Sequence, residues 1–134
     1  MEGHRGAVKA VTGTLTGGLL VIAIGLSACN RDAVREAAEL TGGDPVRGQA
    51  AIRQHGCQSC HTIPGVPGAD GLVGPPLGGI ASRVYIAGVL PNTPANMILW
   101  IQVPRAMDER TAMPNMGVPE SEARDIAAYL YTLK

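Results

Sequence analysis

The stretch Cys57-Gln58-Ser59-Cys60-His61 constrains this chain more than any other. It reads C-x-x-C-H, the attachment pattern of a c-type haem. Two thiols three positions apart can reach the two vinyl groups on one edge of a porphyrin and form thioethers. The histidine after the second thiol then lies beneath the ring, where its imidazole can ligate the iron. A chain built on this motif must fold around a rigid apolar plate fixed at residues 57–61. The competing chemistries are zinc binding and thiol–disulfide exchange. Zinc needs a third and usually a fourth protein ligand at suitable spacing. His55 could be recruited, but no second Cys or Cys/His pair lies downstream. A thiol–disulfide motif usually accompanies a strand-rich βαβ pattern, and none is legible here.

Composition points the same way. The 134 residues suffice for one domain. Phe is absent, and the aromatics are Tyr85, Trp100, Tyr129 and Tyr131. With 18 Gly and 10 Pro, much of the chain should be loop. So small a domain, poor in large aromatics, has trouble building a core by itself. A covalently held haem would supply a large apolar plate for short helices to pack against. Formal charge is zero over the whole chain; without residues 1–28, which hold Glu2, Arg5 and Lys9, nine basic and ten acidic residues remain. Lys134 is then the single lysine, which speaks against nucleic-acid binding and against docking through a ring of lysines.

The third cysteine, Cys29, follows a different pattern. Residues 1–9 carry Arg5 and Lys9, and residues 10–28 carry no charge, with Leu19 to Ile24 the most apolar part. A charged n-region before an apolar h-region reads as a secretory signal. The run ends Leu26-Ser27-Ala28-Cys29, which resembles the bacterial lipobox, so 1–28 is expected to be a lipoprotein-type signal peptide and Cys29 the lipidated residue. The alternative is a retained anchor, since nineteen uncharged residues are just long enough to span a bilayer. Several acyl chains would make such an attachment stable where one would not. Asn30 gives no Asp-type inner-membrane retention signal, which leaves inner versus outer membrane open. Residues 29–43 are charged, Ala-rich and end Thr41-Gly42-Gly43. Ala33 to Leu40 has the composition of a short helix, but the segment reads as a flexible tether.

From Asp44 onward the chain resembles the class I c-type cytochromes. Asp44-Pro45 pairs an N-cap residue with a first-turn proline, and the helix should stop at His55-Gly56. Gly48 and Ile52 fit the small and bulky positions of that family's first helix. Ala127-Ala128-Tyr129-Leu130 fits its closing helix, and Ala123, Ile126, Ala127, Leu130 and Lys134 recur at three and four residues, an apolar face until the last turn. Pro119 stands where the family often has a Ser or Thr cap, and it can occupy the first turn. Val73-Gly74-Pro75-Pro76-Leu77 resembles the family's Gly-Pro-x-Leu stretch, which implies that the Pro75 carbonyl accepts the free ring N–H of His61. Read without the resemblance, it could also be a plain turn. Thr93-Pro94 is again cap plus first-turn proline, with a helix running through Met97, Ile98, Trp100 and Ile101 toward Pro104.

The resemblance also implies the distal side. Thr111-Ala112-Met113-Pro114-Asn115-Met116-Gly117 fits the family's distal loop, with Met113 as axial ligand and Gly117 four positions on; Met116 and Met107 are alternatives. A thioether opposite His favours ferrous iron and raises the reduction potential. Trp100 matches an aromatic lying against the haem, or is plain core. Arg83 is a candidate cation for a haem propionate, and Tyr85 a second pocket candidate.

The expected fold is therefore all-α, a class I cytochrome c arrangement of short helices around one covalent haem c over residues 44–134. The expected haem set is Cys57 and Cys60 as thioether positions with His61 and Met113 on the iron. The resemblance implies a one-electron carrier, not an enzyme, with no small-molecule substrate. It would work between respiratory components, such as a quinol-oxidising complex and a terminal oxidase, on the periplasmic side of a bacterial membrane. A fixed subunit of a larger oxidase or dehydrogenase complex is the alternative, followed by a haem enzyme or sensor with a displaceable distal ligand.

Overall fold

The computed structural model describes residues 31–134. The expectations that fall on residues 1–30, the signal peptide and lipidation of Cys29, lie outside the described residues. Among those described, no helix is long and apolar enough to cross a membrane.

The frame is a crossing of two helices. α2 (Pro45–Gln54) starts where its sequence demands: the Asp44 carboxylate accepts from the backbone N–H groups of Val46 and Arg47, and Pro45 occupies the first turn. It ends at His55, followed by Gly56 at φ +73°, a left-handed conformation that glycine adopts at little cost. α5 (Glu120–Tyr131) buries Ala123, Ile126, Ala127 and Leu130 on one face. Pro119 sits at the N-cap of α5, one position before the expected first turn, and gives no side-chain cap. Glu120 and Glu122 instead place negative charge at the positive end of the helix. The helices meet at Gly48, where a Cβ would lie 1.9 Å from the Asp125 carbonyl oxygen. Only a residue without a side chain lets the backbones approach this closely. Ile52, fully buried one turn later, fills the space beside the crossing.

Asp125 clamps the crossing from the side. Its carboxylate accepts from the Asp44 N–H at 2.7 Å and from Arg47 Nε and Nη2 at 2.8 and 2.9 Å. The Arg47 guanidinium holds the Asp125 carboxyl below its usual range, against the opposing pull of burial.

Residues 31–41, here α1, are helical. They are not the flexible tether expected over 29–43. Ala37 is 1% exposed and joins the core, and Thr41 is 3% exposed with its hydroxyl donating to the Ala37 carbonyl. A segment whose one buried apolar residue is an alanine has no apolar stripe of its own, so its docking depends on the groove it meets.

Between α2 and α5 lie the 3₁₀ turns Cys57–Ser59 and Ile80–Ser82, then α3 (Pro94–Gln102) and the short α4 (Pro104–Met107). Thr93 caps α3 by accepting from Asn96 N–H. The chain adds a two-stranded antiparallel hairpin to the expected helices, β1 (Tyr85–Ile86) against β2 (Leu90–Pro91). Alternation along β1 points Ile86 inward and Tyr85 outward.

Candidate haem site

The C-x-x-C-H motif forms a tight turn at the end of α2. The Cys57 carbonyl accepts from both Cys60 N–H at 3.2 Å and His61 N–H at 3.0 Å. Cys57 and Cys60 are not joined to each other. Burial, more than the neighbouring Cys60, pushes the Cys57 thiol above its usual range.

Both cysteines and His61 open onto a cavity of about 350 Å³. Its walls are mostly aliphatic, from Ile52 of α2, Met97 and Ile101 of α3, and Ile126 and Leu130 of α5. Met113 and Met116 close it from the loop that precedes α5.

His61 is held in one tautomer. Its Nδ1 lies 2.7 Å from the Pro75 carbonyl oxygen. A carbonyl can only accept, so Nδ1 carries the proton and Nε2 keeps a free lone pair. Ligating histidines are usually oriented through such a partner on the other ring nitrogen. Gly74 makes the arrangement possible: its N–H donates to the Cys60 carbonyl at 2.7 Å, and a Cβ there would lie 2.3 Å from His61 Cε1. Gly74 is a site residue that the sequence reading placed only inside a motif, without a role of its own. The signal was present, a glycine directly before the proline whose carbonyl meets His61.

Trp100 is 8% exposed and lines the cavity. Arg83 also lines it, with Nη2 donating to the Pro76 and Gly78 carbonyls. The guanidinium thus braces the loop that carries Pro75. Tyr85 is corrected: it is 54% exposed and does not line the cavity. The strand alternation gives that place to Ile86. Met116 reaches the cavity but is 40% exposed, whereas Met113 is half-buried and packs against the core. Met107 packs against the core without lining the cavity.

These residues fit a haem. Two unpaired thiols stand at one edge, a histidine offers an oriented lone pair, a thioether stands among the opposing walls, and the lining is apolar. A helical frame closed around such a cavity defines a protein that holds a covalent haem. The family model for cytochrome c matches residues 45–134, about two thirds of the chain, and the chain belongs to that family. Its cofactor is haem c with its iron, and its class is the haem-based electron carriers. No curated protein and no solved structure matches the chain.

Proposed function

We propose that this chain is a membrane-attached carrier with a single haem, moving one electron at a time between respiratory components on the periplasmic face of a bacterial membrane. Cys57 and Cys60 form the thioethers, and His61 and Met113 bind the iron. The supporting observation is the His61–Pro75 hydrogen bond inside an apolar cavity that Met113 also lines. Haem c supplies a one-electron ferric/ferrous couple.

The chain's own residues do the rest. The Pro75 carbonyl fixes the imidazole so that Nε2 keeps one direction in both oxidation states. Met113, half-buried in the cavity wall, would offer the iron a soft thioether ligand, which favours the ferrous state. The aliphatic walls exclude water and favour the less charged ferrous state. Leu72, Val73 and Val84 are strongly exposed; Val73 lines the cavity, and Val84 directly follows Arg83, which also lines it. An apolar rim with few lysines suits brief contact with a membrane-bound donor and acceptor, such as a quinol-oxidising complex and a terminal oxidase. Membrane attachment supplies the encounter rate that charge steering would otherwise provide.

The test is the absorption and EPR spectrum of the ferric and ferrous holoprotein. Low-spin ferric iron with a weak long-wavelength sulfur-to-iron band, and no response to CO when reduced, is the expected result. High-spin iron or rapid CO binding would overturn the His/Met carrier reading.

A further inference from the structure

The segment before the first family-matched helix is docked along the haem domain. Lys134 Nζ lies 2.7 Å from Glu36 Oε2, and Arg124 Nη1 donates to the Thr41 carbonyl at 3.3 Å. As α1 advances from 36 to 41, its partners run back from Lys134, three residues beyond the end of α5, to Arg124 in its first half, so α1 lies antiparallel to α5. Its far end is locked by Gly43, where a Cβ would come within 2.2 Å of the Arg124 carbonyl oxygen. The Gly43 N–H also donates to Thr41 Oγ1 at 3.2 Å. Two contacts at the ends of the segment, with Ala37 buried between them, are what a strap requires and what a coil would lack.

We propose that α1 is a docked strap, so that the chain leaves the haem domain beside the C-terminal end of α5 and an attachment upstream of residue 31 holds the domain close to the bilayer. The positional half rests on the membrane-attached reading above. The difference in reach is large. A flexible coil over residues 29–43 would have a root-mean-square span of about 20 Å. With residues 31–43 docked, the two residues from Cys29 to Arg31 span at most about 7 Å. The domain then meets partners in the plane of the membrane from a restricted height.

The strap can be read chemically in the full-length holoprotein. Carbodiimide coupling joins a carboxylate to an amine as an amide with loss of water, and Lys134 is the only lysine after Lys9. The expected product is a tryptic peptide 36–47 joined to 125–134, with the link at Glu36. Backbone amides of residues 33–41 should exchange at least about tenfold more slowly than in an unstructured peptide. Ala37→Glu, which forces a charge into the buried position, should lose both signals while its haem spectrum and the slow exchange of α5 persist. If that variant does not fold, Glu36→Gln should lose the link and keep the exchange protection. Absence of the link, or unprotected α1 amides, in the unaltered chain would overturn the strap.

For the positional half, the holoprotein is bound to vesicles with a fluorescent headgroup. Quenching by the haem should fall in Ala37→Glu as the domain gains reach, and equal quenching would overturn that half. Failure of the holoprotein to sediment with vesicles would overturn the membrane reading, while the link and the exchange data would still decide the docking.

Discussion

Gly74→Ala tests the geometry that orients His61. The added methyl carbon would sit 2.3, 2.7 and 2.8 Å from Cε1, Nδ1 and Nε2 of the imidazole. Ordinary contact begins near 3.4 Å, so ring and backbone must separate by about 1 Å. The ring cannot retreat freely, because it directly follows Cys60, one of the two proposed haem-linking positions. The separation therefore falls on the loop, at the cost of two hydrogen bonds, Gly74 N–H to the Cys60 carbonyl and His61 Nδ1 to the Pro75 carbonyl. At about 1 kcal/mol each, the expected loss is about 2 kcal/mol. The assay is urea unfolding of the ferric holoprotein, followed by the haem absorption. Gly78→Ala is the matched control in the same loop, where a Cβ would meet Pro64 Cγ at 3.4 Å and Cδ at 4.0 Å, ordinary contacts. Equal stability of the two variants would refute the argument.

Three further outcomes follow from the same geometry. Met113→Ala should lower the reduction potential and let reduced iron bind CO, whereas Met116→Ala should do neither; a six-coordinate, sulfur-ligated iron in Met113→Ala would reject the assignment. Gly48→Ala should destabilise the domain by about 3 kcal/mol or more, since its methyl would overlap the Asp125 carbonyl oxygen; a loss under about 1 kcal/mol in thermal unfolding would show that the crossing can open. Asp125 holds its proton less tightly in the folded chain than at its ordinary value of 3.8. Its contribution is therefore present above that pH and is lost as pH falls through the lower folded value. Asp125→Asn should lose stability at neutral pH and show a shallower further loss below pH 4, and parallel acid limbs for the two proteins would contradict this.

The site was legible where chemistry is local in the sequence. C-x-x-C-H places three groups within five residues, and the Asp44-Pro45 and Thr93-Pro94 caps mark helix starts without help from the rest of the fold. Pro75 could be named because its motif carries its position relative to His61. Tyr85 and Ile86 could not be sorted, because which one faces inward depends on a two-residue strand too short to show alternation. Docking of α1 was hidden for a related reason. Its charged residues and its one buried apolar residue, Ala37, look like a solvated linker until α5 supplies the groove. The role of Gly74 depends on the His61 ring, thirteen positions away, and a glycine carries no side chain to announce such a contact.

The cavity volume decides how far the fold depends on its cofactor. Cavity formation in a packed core costs about 24 cal/mol per Å³, so 350 Å³ corresponds to about 8 kcal/mol, an upper value because water can enter from the open side. Domains of this size are stable by only about 5–15 kcal/mol in total. The remaining core cannot make up the difference, since it is built mainly from Ala, Ile and Val, with Met97, Leu130, Trp100 and Tyr131 among its other buried apolar side chains. The double variant Cys57→Ser/Cys60→Ser, which removes both proposed thioether positions, should therefore yield a haem-free chain without a cooperative unfolding transition. Far-UV circular dichroism against temperature is the measurement. A sharp transition in the haem-free chain, with helix content equal to that of the holoprotein, would show that the α2–α5 crossing and the Asp125 clamp are enough to fold the chain, and that the haem is a passenger in a core that closes without it.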